Sequence, residues 1–157
     1  MQDKIKVLMV CHGNICRSPM AEFVMKKLVS DAGLTARFQI ASAATSTEEI
    51  WNGIGNPVYP PAKAELARHG ISCEGKRARQ VTRADYAEYD YLIGMDSANI
   101  RNIKRIAGGD PEGKVHKLLE FAGSDRDIAD PWYTGNFDET YRDVVEGCEA
   151  LFKKLQR

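Results

Sequence analysis

The strongest constraint in this chain is a short apolar run that ends in a cysteine and is followed, after five residues, by an arginine that opens a helix. Residues 7 to 19 read VLMVCHGNICRSP, with Cys11 and Arg17 bracketing the gap. A loop of that length can curl its backbone N–H groups around one tetrahedral anion. The helix N-terminus behind the loop adds partial positive charge, and a guanidinium adds a fixed two-pronged donor. A thiol held in such a ring is favoured as thiolate. The same few residues therefore predict an anion cradle (His12, Gly13, Asn14, Ile15, Cys16, Arg17 and Ser18) and a nucleophile, Cys11.

The rest of the chain bounds what can be built around that loop. At 157 residues it is long enough for one domain with a substantial core. Basic and acidic residues number 22 each, so there is no electrostatic footprint for nucleic acid or an anionic membrane. The opening MQDKIK is charged, and the apolar run after it stops at Cys11. That is too short for a signal-peptide core or a bilayer span. The four cysteines, Cys11, Cys16, Cys73 and Cys148, lack the spacing of a disulfide framework. A cytoplasmic location with reduced thiols is the expectation.

Periodicity supplies the architecture. Residues 4–10 read as a buried strand, with Ser18 as N-cap and Pro19 as first residue of a helix that ends at Gly33. A second strand is expected over 36–43, then a loop from 44 to 61 punctuated by Gly53, Gly55, Pro57, Pro60 and Pro61. A helix follows over 61–69, a strand over 90–95, a helix over 97–107, and a fourth strand over 115–121. In the final helix Tyr141, Val144, Val145, Cys148, Leu151, Phe152 and Leu155 share one face. Alternating strands and helices imply a single α/β domain with a doubly wound parallel sheet. Ligands of such sheets sit at the carboxyl ends of strands, where Cys11 emerges.

The motif in this context resembles the low-molecular-weight protein tyrosine phosphatase family. The matching stretches are CHGNICRSPMAE at 11–22, SAATS at 42–46, IGNP at 54–57, ARHGI at 67–71, YDYLIGMD at 89–96 and ADPWY at 129–133, in order along essentially the whole chain. The resemblance implies a four-stranded parallel sheet flanked by helices and an acid-range phosphomonoesterase acting on phosphotyrosine, without metal or cofactor. It implies Cys11 as nucleophile, Arg17 as phosphate clamp and Asp130 as general acid. Ser18 matches the hydroxyl beside the thiolate, and Asn14, Ser42 and His69 match a network bracing the loop. Trp132 and Tyr133 match an aromatic wall. Trp51, in residues inserted relative to the vertebrate pattern, is expected on the rim of the same substrate wall. Cys16 matches a neighbouring thiol that can form a protective disulfide with Cys11. The implied partners are tyrosine-phosphorylated proteins, a tyrosine kinase among them, with inorganic phosphate as product and neither nucleic acid nor membrane.

The chemistry fits those residue types. An anionic nucleophile reaches phosphorus only after the substrate's negative oxygens are neutralised, which the N–H ring and Arg17 supply. The leaving oxygen needs a proton, and a carboxyl such as Asp130 can give it and then activate water. Two alternatives compete. A thioredoxin-coupled arsenate reductase would need a further pair of shuttling cysteines near mid-chain, where only Cys73 lies. A noncatalytic phosphate binder could dispense with Cys11 and Asp130, yet both are present. Two decoys fail. GGDPEGK at 108–114 lacks the hydroxyl of a nucleotide loop, since Val115 follows. Asp125, Asp127 and Asp130 lack the glycine and glutamate of a calcium loop.

Overall fold

Strand β1, Ile5–Cys11, is buried on both faces, and that fixes the layering of the computed structural model, which describes residues 4–156. Val7, Met9 and Cys11 point into one apolar cluster, while Leu8 and Val10 point into a second on the opposite side. Successive side chains of a strand alternate in this way, so a fully apolar run needs helices on both faces. The first cluster is roofed by α1 (Arg17–Asp31), α2 (Pro60–Arg68) and α6 (Phe137–Leu155). The second is closed by α3 (Arg83–Glu88) and α4 (Ser97–Ala107).

The sheet has four parallel strands in the order β2-β1-β5-β6, with β2 at Phe38–Ala44, β5 at Tyr91–Gly94 and β6 at Val115–Lys117. The chain leaves β1 toward β2 on one side and is joined by β5 on the other, so the end of β1 lies at a switch point. The doubly wound parallel sheet expected from the sequence is what the chain adopts.

Several boundaries differ from expectation for identifiable reasons. α1 begins at Arg17 with Cys16 as N-cap and no side-chain cap, so Ser18 is inside the helix. The Ser18 hydroxyl is bonded to the loop instead. Pro19 is tolerated because the first-turn N–H groups have no helical partner to lose. The fourth strand stops at Lys117, and 118–122 turn as a 3-10 helix that buries Leu118 and Leu119. Gly147 allows this, since a Cβ there would stand 2.5 Å from Leu118 Cγ.

The stretch 44–61 is not wholly loop. β3 (Ile50–Trp51) and β4 (Ile54–Gly55) form an antiparallel hairpin turned by Asn52 and Gly53, both with positive φ. Asn-Gly is the favoured pair for such a turn. A Cβ at Gly55 would stand 1.8 Å from the Ala78 carbonyl oxygen, so only glycine lets the hairpin lie against 77–80. Helix α3 is not among the elements expected from periodicity, although Thr82 and Asp85 form a reciprocal capping box at its start. Among the described residues no helix is long and apolar enough to cross a membrane.

Candidate active site

β1 ends at Cys11, and the chain curls through 12–16 before α1 begins. The curl depends on Asn14, whose φ of 60° lies in the left-handed region that side chains other than glycine seldom adopt. Such a residue persists only when its surroundings over-determine it. Here they do. Asn14 is 1% exposed. Its Nδ2 donates to Ser18 Oγ at 2.8 Å and Ser42 Oγ at 2.9 Å, and its Oδ1 accepts from Arg79 N at 3.2 Å. Its own backbone N–H donates to Cys11 Sγ at 3.3 Å.

These bonds fix the direction of the hydroxyl chain. Ser42 Oγ accepts from Asn14 and donates its single proton to Glu22 Oε1 at 2.5 Å. Ser18 Oγ also accepts from Asn14, which leaves its proton for Cys11 Sγ at 3.0 Å. The sulfur thus receives two donors. Glu22 is 4% exposed and is held by Lys26 at 2.6 Å and Lys76 at 3.4 Å. Lys76 Nζ also donates to the Ser42 carbonyl at 2.9 Å. Burial pulls the Lys76 pKa below the lysine range, against the opposing pull of Glu22.

Arg17 is buried beneath the loop. Its NH1 donates to Asp96 Oδ2 at 2.7 Å and the Ile128 carbonyl at 2.9 Å, while NH2 stands 3.5 Å from Asp130 Oδ2. Burial alone would lower its pKa, but Cys11, Asp96 and Asp130 outweigh that and hold it raised. Asp96 is anchored in turn as the N-cap of α4, accepting from Asn99 N at 2.7 Å. Asp130 caps α5 (Pro131–Thr134) by accepting from Trp132 N at 3.0 Å through Oδ1. Its other oxygen faces Arg17, so the turn role and a site role coincide.

One cavity of about 120 Å³ gathers these groups. Cys11, His12, Gly13, Ile15, Cys16 and Arg17 form its floor, Asp130, Trp132 and Tyr133 one wall, and Glu48 and Glu49 another. Trp132 packs on Tyr59 with ring centroids 4.8 Å apart, and Tyr133 is 84% exposed. Cys16 is a free thiol pushed up to about 12, chiefly by burial and next by the Cys11 and Asp130 charges.

Two expectations change. Trp51 does not line the cavity; it stands on the hairpin, 73% exposed, and the two glutamates take the wall in its place. His69 makes no hydrogen bond to Asn14 or Ser42. Its Nε2 pairs with Glu65 Oε2 at 3.0 Å, and its ring stacks on Tyr141 at 3.8 Å. Glu22 occupies the network position expected of His69. The sequence reading assigned no role to Glu22, Asp96, Lys76, Glu48 or Glu49. Glu22 and Asp96 lie inside the matching stretches, whereas nothing in the sequence marks Lys76.

A thiol that accepts from one backbone N–H and one hydroxyl shares a small cavity with a buried guanidinium and a carboxylate, the grouping that the sequence leads one to expect of an anion cradle in a phosphatase fold. The family model described as low molecular weight phosphotyrosine protein phosphatase matches residues 6–157. The low molecular weight protein-tyrosine-phosphatase YfkJ of Bacillus subtilis is 41% identical over 155 residues, covering 98% of this chain and 97% of that one. Its crystal structure superposes with a TM-score of 0.93 at 39% identity, covering 99% and 96% of the two chains. A low molecular weight protein tyrosine phosphatase structure from Streptococcus pyogenes gives 0.84 at 40% identity, with 96% and 93% covered. A drosophila arginine phosphatase gives 0.86 at 27% identity, with 98% and 99% covered. The chain belongs to the low-molecular-weight phosphotyrosine protein phosphatase family and is a hydrolase of that class.

Proposed function

We propose that the protein hydrolyses phosphotyrosine in proteins through a cysteinyl-phosphate, with Cys11 as nucleophile and Asp130 as general acid and base. The observation that carries this reading is Cys11 Sγ, which accepts from Asn14 N–H and Ser18 Oγ in the cavity that also holds Arg17 and Asp130. The substrate's phosphoryl oxygens take the loop N–H groups from His12 to Ser18 and a guanidinium edge of Arg17. The Cys11 thiolate attacks phosphorus in line, the S–P bond forms as the P–O bond breaks, and Asp130 gives its proton to the leaving phenolate oxygen. Asp130, now a carboxylate, takes a proton from the water that attacks phosphorus. Inorganic phosphate leaves and the thiolate returns.

Ile15, Trp132 and Tyr133 give the cavity an apolar side suited to an aromatic leaving group, which favours phosphotyrosine over phosphoarginine. The partners on this reading are tyrosine-phosphorylated proteins, a tyrosine kinase among them, in the cytoplasm. Cys16 guards the nucleophile. Peroxide takes the Cys11 thiolate to a sulfenic acid, the Cys16 thiol displaces hydroxide as water, and the Cys11–Cys16 disulfide that forms is reversed by cellular thiols.

The test compares hydrolysis of free phosphotyrosine, a small aryl phosphate and phosphoarginine by the wild type, Cys11→Ser and Asp130→Ala. The aryl substrates should turn over faster than phosphoarginine. Cys11→Ser should abolish turnover, and Asp130→Ala should lower it on the order of 10²–10⁴-fold. Near-normal turnover by Cys11→Ser ends the mechanism, and a phosphoarginine rate above the phosphotyrosine rate ends the substrate assignment.

A further inference from the structure

Part of the cavity lining is acidic, which is unexpected in a cleft built for an anion. Glu48 and Glu49 line the same cavity as Cys11 and Arg17. With Asp130 they give three carboxylates against one fixed cation, and Arg17 is already committed to Asp96 and Ile128. Asp130 has a role in the reaction. The two glutamates have none.

Both are held in position. Asn56 clasps Glu49, donating from its backbone N–H to the Glu49 carbonyl at 2.8 Å and from Nδ2 to Oε1 at 3.2 Å. The Glu49 stem lies against the loop itself, since a Cβ built on Gly13 would meet Glu49 Cγ at 3.3 Å. Glu48 pairs with His12 Nε2 at 3.0 Å at the open edge of the cleft, with both side chains at least half exposed. Among the described residues, neither glutamate pairs with a lysine or arginine. A phosphate dianion entering alone passes two like charges. A phosphate that enters beside a substrate cation has those charges neutralised and gains an attractive partner.

We infer that Glu48 and Glu49 select phosphotyrosine segments that carry lysine or arginine next to the phosphorylated residue. This inference rests on the phosphotyrosine reading and adds the chemistry of the flanking sequence to it. The glutamates act on substrate capture, so the preference appears in kcat/KM and weakens as salt screens charges beyond roughly 10 Å at 0.1 M.

The experiment measures kcat/KM for two phosphotyrosine peptides of equal length, one flanked by lysine and one by glutamate, at low and high salt. It uses the wild type, the double variant Glu48→Gln/Glu49→Gln, and Glu48→Lys/Glu49→Lys, with a small aryl phosphate as a third substrate. The wild type should favour the lysine peptide by about tenfold at low salt. The ratio should fall toward one in the glutamine variant and invert in the lysine variant, an order that loss of structure would not produce. A wild-type ratio within about twofold of unity at low salt, or one unchanged in the glutamine variant, overturns the inference. The wild-type ratio and its salt dependence stand without any variant. Equal hydrolysis of both peptides removes only this inference. Failure to hydrolyse the peptides and the aryl phosphate alike removes the phosphatase reading beneath it.

Discussion

Replacing Asn14 should damage stability and rate together, because one side chain holds a strained backbone and a hydroxyl chain at once. Asn14→Ala deletes the buried bonds to Ser18 and Ser42 and the part-buried bond from the Arg79 N–H. At about 1 kcal/mol for each, the loss is about 3 kcal/mol. Alanine also has no local hydrogen bond to offset a left-handed conformation, which adds about 1 kcal/mol. The expected total is therefore about 4 kcal/mol. Asn14→Gly loses the same bonds but adopts φ of 60° without strain. After the glycine's extra chain entropy it should be more stable than the alanine variant by about 0.5–1 kcal/mol. Urea unfolding followed by far-UV circular dichroism measures both variants. Under native conditions each should lose on the order of 100-fold in kcat/KM, because the N–H ring no longer holds phosphate in line with sulfur. A cost below about 1 kcal/mol for alanine, or a glycine variant no more stable than alanine, would refute the claim that Asn14 pins the loop.

Four further outcomes follow from the same geometry. Arg17→Lys should lose on the order of 10³-fold in kcat/KM, since a lysine cannot reach Asp96 and Ile128 and still present a planar edge to phosphate; a loss under tenfold in steady-state kinetics would contradict this. Lys76→Met should lower kcat more than it raises KM, while Lys76→Arg restores part of the rate; equal losses in both variants would show that the Glu22 partner does not matter. At neutral pH, limited iodoacetamide should modify Cys11 and spare Cys16, a thiol held at about 12; peptide mapping that finds Cys16 labelled at the same rate would sink this. Glu65 gives a pH dependence. Burial raises its pKa, but hydrogen bonds from Arg68 and His69 outweigh that and hold it below the glutamate range. Its stabilisation is thus full above the unfolded value of about 4.3 and lost as pH falls through the lower folded value. Glu65→Gln should flatten the acid limb of the stability curve, and an unchanged limb in urea melts at successive pH values would exclude the effect.

The parts of the site legible in the sequence are those carried by local spacing. Cys11, Arg17 and Ser18 lie within one turn of loop and helix, so their convergence follows from chain geometry. Asp130 is legible only through the resemblance of ADPWY to the family pattern, since Asp-Pro alone reads equally well as a turn, whereas the apolar runs of β1 and α6 reveal the layers they bury. The Asn52-Gly53 hairpin and the Thr82–Asp85 capping box are also local signals, and each is readable once the flanking residues are weighed. Tertiary partners are different in kind. Asp96 reaches Arg17 across 79 residues and Ser42 reaches Glu22 across 20, contacts created by strand order rather than spacing. His69 shows the converse. A histidine near the expected position turns to Glu65 and Tyr141 because α2 packs on α6, and Glu22 is already bonded to Ser42.

On the proposed mechanism Cys11 carries the phosphoryl group between two chemical steps. Rapid acid quench of the Asp130→Ala variant during turnover of an aryl phosphate, followed by peptide mass spectrometry, tests it most directly. A phosphoryl group is expected on Cys11 in the peptide spanning 7–17, and none when Cys11→Ser is added. A phosphoryl group on another side chain, or full turnover without a trapped intermediate in a Cys11→Ser enzyme, would contradict it.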